Sequence, residues 1–264
     1  MTYHVLFSCS KSKSQRCKDN LIWSENTTIE TWRKSWNDIS NDFFKIKDLY
    51  SGRATKAQLK LISDHKDAIP YLISAGAGLI QITDESSIPS YDSTFGNPGP
   101  SFEEWHLLPH GGLSKIKLNE DDLVVIFAPN NYLKAISKDP HIKLISDKLV
   151  APMNSPLKNF CKYPIKVHPR IKEVLGIASA DINTELIRMF LQNGESLINE
   201  FNQKAENLPP KPSRRKVSDE ELINIARDNI SKNQMDLVRF IRDSLSISAS
   251  VERISKARKE VLNK

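Results

Sequence analysis

The sequence predicts an α/β protein, with a mostly parallel central sheet flanked by helices and a small C-terminal all-helical module. Three observations predict it. Short apolar runs alternate with segments of helical period, the pattern of strands buried by helices on both faces. A stretch "LPPKPSRRK" at 208–216, with three prolines and four basic residues, then interrupts the pattern as a linker. Beyond it lie three short amphipathic segments and no strand-like run. The expected division is an α/β domain over residues 1–207, a basic Pro-rich linker over 208–217 and a trihelical basic module over 218–264.

The elements follow in chain order. "HVLFS", residues 4–8, is the first strand, and it runs into the polar cluster Ser8, Cys9, Ser10, Lys11, Ser12, Lys13. Residues 27–50 read as a mixed helical stretch in which Trp32 and Trp36 are core, and residues 56–64 as a helix with Leu59 and Ile62 on one side. Ala68–Ser74 is a second buried strand, closed by Gly76 and Gly78 in what reads as a strand-to-helix turn. Residues 86–101 form a long loop rich in Pro, Gly and Ser. "DLVVIFAP", 122–129, is the plainest core strand, with a short helix from Asn131, and "YPIKVH", 163–168, is another strand. Residues 180–201 carry Leu186, Met189, Phe190, Leu197 and Ile198 at the spacing of one helix.

In the C-terminal part, Ser218 with Glu221 three residues on forms a capping box before Leu222, Ile225, Ala226 and Ile230. A second segment carries Val238, Ile241 and Leu245. A third turns Val251, Ile254, Ala257 and Val261 inward and leaves Arg253, Lys256 and Lys259 exposed. Such a module docks on DNA in helix-turn-helix fashion or serves packing or dimerisation.

Bulk numbers narrow the function classes. The chain has 264 residues, 39% of them apolar and 27% charged, as in a water-soluble globular protein. No apolar run reaches the ~18 residues of a membrane span, and no signal-peptide pattern opens the chain. Cys9, Cys17 and Cys161 lack CxxC spacing, which suits a reducing, cytoplasmic compartment without a metal site; no cofactor is expected. From residue 209 onward 13 Lys and Arg face 8 Asp and Glu, a surplus of five out of the net +6. A basic appendage on a near-neutral body points to nucleic acid rather than membrane, or to a tail that aids solubility.

In parallel sheets ligands sit beyond the carboxyl ends of the strands. Ser8–Lys13, "SAGAG" (74–78) and "APNNY" (128–132) all fall there, so they are the candidate site. Gly76 and Gly78 lack the third glycine and the acidic residue of a dinucleotide fingerprint, and "SKSKS" lacks the P-loop frame.

"FSCSKSKS" (7–14), followed by Ile73, Ser74, Ala75, Gly78, Leu79, Ile80 and then Tyr91, Asp92 and Thr94, resembles the paired signature of the YaaA-type peroxide-stress proteins. The resemblance covers the N-terminal half. Ala77-Gly78 stands where that family has Tyr-Gly, and Ser90 separates Pro89 from Tyr91. It implies a fold similar to that of uracil-DNA glycosylases, together with DNA binding. Members of this broad group also resemble the base-exchanging domain of archaeosine biosynthesis, and a related protein is an anti-phage DNA glycosylase that excises glucosylated hydroxymethylcytosine.

Base excision makes definite demands. Positive charge on the sugar calls for a carboxylate, negative charge on the departing base calls for a donor, and the flipped base needs an aromatic ring and an edge to bond. Asp92 is the expected carboxylate, beside the ring of Tyr91, with Asp84 and Glu85 as alternatives on the same connection. His168, before Pro169, is either the donor to the departing base or a strand-end histidine with local partners. Ser8, Cys9 and Ser10, Ser74, Gly76 and Gly78, and Asn130, Asn131 and Tyr132 would bind base or sugar, with Lys11 and Lys13 on flanking phosphates. Lysine could instead act as a nucleophile on an abasic sugar. Arg214, Arg215, Arg253, Lys256 and Lys259 would meet the DNA backbone. Trp105 and His106 would wedge into DNA or cover a sheet edge. The leading expectation is a DNA N-glycosylase acting on a modified base, in phage defence. The alternatives are a non-catalytic DNA-binding stress protein and a tRNA base-exchanging transferase.

Overall fold

Five parallel strands and one antiparallel strand form the central sheet. In the computed structural model, which describes residues 1–210 and 214–262, its order is β4-β3-β1-β6-β7-β8. These are β1 (Tyr3–Ser8), β3 (Ala68–Ser74), β4 (Gly78–Gln81), β6 (Leu123–Ile126), β7 (Leu149–Pro152) and β8 (Tyr163–Ile165). Only β4 runs against its neighbour, pairing Leu72 with Ile80 and Ser74 with Gly78. Val5, Leu6 and Phe7 of β1 are completely buried, because the strand lies inside the sheet with helices packed on it.

Around the sheet lie α1 (Ile29–Asn37), α2 (Ile46–Leu49), α3 (Arg53–Ser63), α4 (Asn130–Lys138), α5 (Lys143–Ser146), α6 (Ile171–Leu175), α7 (Ile182–Asn193) and α8 (Glu195–Glu206). Thr28 caps α1 through a reciprocal pair of bonds with Thr31.

Four expectations change. The stretch 27–50 is not helical throughout: β2 (Phe43–Lys45) pairs antiparallel with β5 (Ser87–Pro89), so the loop expected at 86–101 also begins as a strand. Glycines 76 and 78 close a β-hairpin into β4, not a turn into a helix. The helix expected over 180–201 is two helices, because Gly194 takes a φ of 62°, a left-handed position that ends α7 and starts α8. The strand expected over 163–168 ends at Ile165.

The chain divides into two compact units, Met1–Asn207 and Leu208–Lys264. The second has its own core of Val217, Leu222, Leu237, Ile241, Ile247 and Ile254, built from α9 (Asp219–Asp228), α10 (Gln234–Arg239) and α11 (Val251–Leu262). A π-helical turn at Phe240–Ser244 and a parallel bridge between Arg215 and Ile247 complete it. Ser218 Oγ accepts from the Glu221 amide at 3.1 Å, but only this half of the capping box forms. The Glu221 carboxylate is drawn instead to Arg215, 2.6 Å away. Val251, expected inward, is exposed, as are the apolar Ile230 and Leu245, since each sits at the end of its helical segment. Part of the linker, residues 211–213, lies outside the described residues, as do 263–264. Among the described residues no helix is long and apolar enough to cross a membrane, and no group of three His, Cys, Asp or Glu could hold a metal ion.

Candidate functional site

The rim at the carboxyl ends of β1 and β3 is built by hydrogen bonds that fix three loops against one another. Past the end of β1, the Cys9 amide still donates to Ile73 O at 3.0 Å, which carries the β1–β3 ladder one residue further. The chain then turns and zips onto the segment after α2. Ser51 N donates to Ser12 O at 3.1 Å, Ser14 N donates to Leu49 O at 2.8 Å, and Lys13 faces Tyr50 in an antiparallel bridge. Ser10 Oγ donates to Ser12 O at 3.0 Å. Gly52 lies so close that a Cβ there would come within 2.5 Å of the Ser10 side chain.

Beneath this loop lies a buried row of hydroxyls. Ser74 Oγ accepts from the amides of Gly76 (3.2 Å) and Ala77 (2.9 Å), which occupies both its lone pairs. Its own hydrogen is left for Tyr91 Oη, which it touches, and Tyr91 in turn lies 2.6 Å from Tyr50 Oη. Protons therefore point from Ser74 to Tyr91 to Tyr50. Burial pushes both phenols well above the ordinary tyrosine range, so they are neutral donors and acceptors. Two indoles clamp the hairpin: Trp105 Nε1 donates to Ser74 O at 2.8 Å and Trp32 Nε1 to Gly76 O at 2.7 Å. Trp105 is thus a buried support and not a wedge for DNA. The Tyr91 ring lies against Gly76, where an added Cβ would come within 2.5 Å of it.

Lys13 covers this floor. Its Nζ stands 4.1 Å from the Tyr91 ring centroid and 5.5 Å from that of Tyr50. Among the described residues it makes no ion pair or hydrogen bond. Burial lowers its pKa from the ordinary lysine value; Cys9, Asp92 and Cys17 oppose that shift and Lys11 adds to it. Asp92 is held through its backbone, its amide donating to Leu21 O at 2.8 Å and its carbonyl accepting from Trp23 N at 2.9 Å. In this extended segment successive side chains alternate, so Tyr91 points inward and Asp92 outward. Ring and carboxylate therefore do not face one space together: the ring is the covered floor and the carboxylate stands at the rim.

Tyr132, on the first turn of α4, closes the other side. Its hydroxyl donates to Cys9 O at 3.2 Å and lies 3.4 Å from Cys9 Sγ, and its ring meets Phe95 edge-on at 5.2 Å. Burial raises this phenol too. Asn130 and Asn131 are exposed at the start of the same helix, and Asn131 Oδ1 accepts from the Tyr132 amide.

Four expected members stand apart from this open rim. Asp84 is at the opposite end of the sheet, because β4 runs antiparallel and carries the chain back. It pairs with Lys47 at 3.5 Å beside a groove of about 390 Å³ lined by Leu59, Pro70 and Ile82. Glu85 is exposed beside Lys45. Gly78 has a φ of 95° and packs on Gly111, whose carbonyl would be 2.4 Å from a Cβ, so it is a hairpin residue and touches no open space. His168 follows β8, three strands from β1, which is about 14 Å at the ~4.8 Å strand spacing. Its ring Nδ1 accepts from Arg170 N and its amide donates to Asn202 Oδ1, the arrangement of a strand-end histidine with local partners.

In the C-terminal unit, three of the five expected DNA-backbone cations are engaged internally. Arg214 pairs with Asp243 (3.0 Å), Arg215 with Glu221 (2.6 Å) and Arg253 with Asp219 (2.6 Å). Arg253 also donates to Val217 O, so it is not on the exposed side as expected. Lys256 and Lys259 are exposed.

The residue that sequence reasoning missed is Tyr50. It joins the hydroxyl row and the Lys13 bridge, yet nothing in its local sequence announces pairing with a loop 37 positions earlier. Comparison with protein-family models, curated proteins and solved structures finds no match to this chain.

Proposed function

We propose that this rim handles a nucleotide, and that the protein is a DNA N-glycosylase removing a modified base. The observation that carries the reading is the convergence of the Ser8–Lys13 loop, the Ser74–Gly76 turn and Tyr91–Asp92 at one end of a parallel sheet, where α/β proteins bind ligands. The floor is rigid, because every hydroxyl in it is hydrogen-bonded. Above it stand the half-buried Lys13 amine and the exposed Asp92 carboxylate, neither of which has a hydrogen-bond or ion-pair partner among the described residues, which leaves both open to a ligand.

In this reading Asp92 faces the sugar. Its carboxylate stabilises the positive charge that develops as the N-glycosidic bond breaks and orients the attacking water. With His168 distant, the donors to the departing base are the Ser8 hydroxyl and the Asn130 amide, the Ser10 hydroxyl being spent on Ser12 O. Lys11, fully solvated, holds a flanking phosphate. Tyr91 serves as a stacking surface only when the Lys13 side chain swings aside. The signature resemblance to YaaA-type proteins points the same way, and with it to a uracil-DNA-glycosylase-like sheet and to modified phage DNA as substrate, glucosylated hydroxymethylcytosine included. The helices of residues 218–262 are then a basic module that docks the DNA through Lys256 and Lys259, its arginines being mostly structural.

The test is mass spectrometry of small products released from a panel of hypermodified DNAs, together with strand breakage on alkali treatment. Release of a modified base by the wild type is expected. Asp92→Asn should keep DNA binding while slowing release by about 10²–10⁴-fold. If the wild type releases nothing from any modified DNA, the glycosylase reading falls.

A further inference from the structure

Lys13 has a placement that phosphate binding does not explain. A lysine that binds phosphate works best as a solvated, mobile charge, as Lys11 is. Lys13 instead is partly buried, with its backbone tied to Tyr50 and its amine over two aromatic rings. Other lysines of the same unit hold carboxylates at close range, Lys18 on Asp42 at 2.7 Å and Lys166 on Glu206 at 2.8 Å. A plug that merely covered the Tyr91 ring would need no nitrogen. The floor supplies no anion to pair with an ammonium, because Tyr50 and Tyr91 stay neutral, and favours that form only through its ring faces.

We propose that Lys13 Nζ is a nucleophile that forms a Schiff base with the C1′ aldehyde of an abasic deoxyribose, so that the same site cuts the strand after the base has gone. The inference rests on the nucleotide-handling reading above and adds a second activity, strand cleavage, to it. The groups that face the amine are Cys9, Lys11, Cys17, Tyr50, Tyr91 and Asp92. Burial favours the neutral amine, the form that attacks carbonyls.

The chemistry balances without an oxidant or a metal. The amine lone pair forms a C–N bond to C1′ of the ring-opened sugar while the C=O π pair moves to oxygen, which takes up a proton. The resulting carbinolamine loses water and leaves an iminium. Asp92 then removes a proton from C2′. The C–H electron pair becomes the new C–C double bond, and the C3′–O bond breaks to expel the 3′-phosphate, with the nitrogen acting as electron sink. Water hydrolyses the imine and returns the amine and an unsaturated aldehyde.

The test uses the full chain and an oligonucleotide carrying a pre-formed abasic site, with sodium borohydride present to reduce the iminium to a stable secondary amine. A covalent protein–DNA adduct is expected, mapped by peptide mass spectrometry to Lys13. Lys13→Arg should lose that adduct while keeping the wild-type circular dichroism spectrum. No adduct with the wild type, or an adduct mapped only to another lysine, overturns the inference, and neither result depends on how a variant folds. Base release without trapping would leave the glycosylase reading standing and remove this one. Trapping at Lys13 with no base released from any modified DNA would do the reverse.

Discussion

The two ends of the central sheet each carry a tyrosine-based polar cluster, and the two are finished differently. At the amino ends of the strands His4 lies between Asp122 and Tyr71, at 3.3 Å from each, and all three are buried. The Asp122 carboxylate also accepts from the amides of Thr2 (3.1 Å) and Asn119 (2.8 Å). Every side-chain polar atom of the three is hydrogen-bonded. At the carboxyl ends the floor of Ser74, Tyr91 and Tyr50 is equally closed, but the Lys13 amine and the Asp92 carboxylate stand above it without a hydrogen-bonded partner among the described residues. One sheet thus holds a polar cluster that serves the fold and another that is left incomplete. Incompleteness, more than polarity, marks the candidate site.

That contrast can be broken by measurement. The largest stability effect is expected for Asp122→Ala, which orphans two amides and a buried histidine. It should cost about 3–5 kcal/mol in urea unfolding, and a loss below ~1 kcal/mol would mean the amino-terminal cluster is not structural. Tyr91→Phe should follow at about 1–3 kcal/mol, since it leaves Ser74 and Tyr50 without their shared hydroxyl. Gly76→Ala should lose a similar ~1–3 kcal/mol, because the added methyl collides with the Tyr91 ring. An unchanged melting curve for that variant would show that the ring can move. Smallest is Asp92→Asn, expected within about 0.5 kcal/mol of wild type; a large destabilisation would make Asp92 a structural residue and weaken the enzyme reading.

Acid sharpens the same comparison. Burial alone would raise the Asp122 carboxyl, but the Asn119 and Thr2 amides and His4 outweigh it and hold it below the usual aspartate range. A carboxyl depressed in the folded state binds protons more readily when unfolded. Its stabilisation is therefore complete above the unfolded aspartate pKa of about 3.9 and is lost as pH falls through the lower folded value. Stability of the wild type should decline below about pH 4, and Asp122→Asn should flatten that decline.

Much of the fold was legible because the informative pattern is local. β1, β3 and β6 are continuous apolar runs, and α3 and α4 follow turn signals. The strands missed, β2, β4, β5 and β7, are three or four residues long; the evidence for β2, β5 and β7 is a partner distant in the chain, and β4 was read as the turn into a helix. Phe43 and Phe44 have the residue type of a strand, but only pairing with Ile88 and Pro89 makes one. The site shows the same division. Ser8–Lys13 and Ser74–Gly76 could be found from the rule that ligands gather at strand carboxyl ends. Asp92 was preferred but Asp84 kept as an alternative, because both lie on one connection, and only the antiparallel course of β4 sends Asp84 to the far end. Tyr50 was invisible for the reason given by its bridge to Lys13: a contact made by folding leaves no mark on the residues beside it.

The indole clamp on the hairpin has an optical consequence. All four tryptophans, at positions 23, 32, 36 and 105, belong to the N-terminal unit, and all are buried. Ultraviolet emission excited at the red edge therefore reports on residues 1–207 alone, whereas far-ultraviolet ellipticity sums both units. Denaturation followed by the two signals will separate the melting of the sheet from that of the helical tail without any label, and transitions that superimpose would reveal that the halves unfold as one.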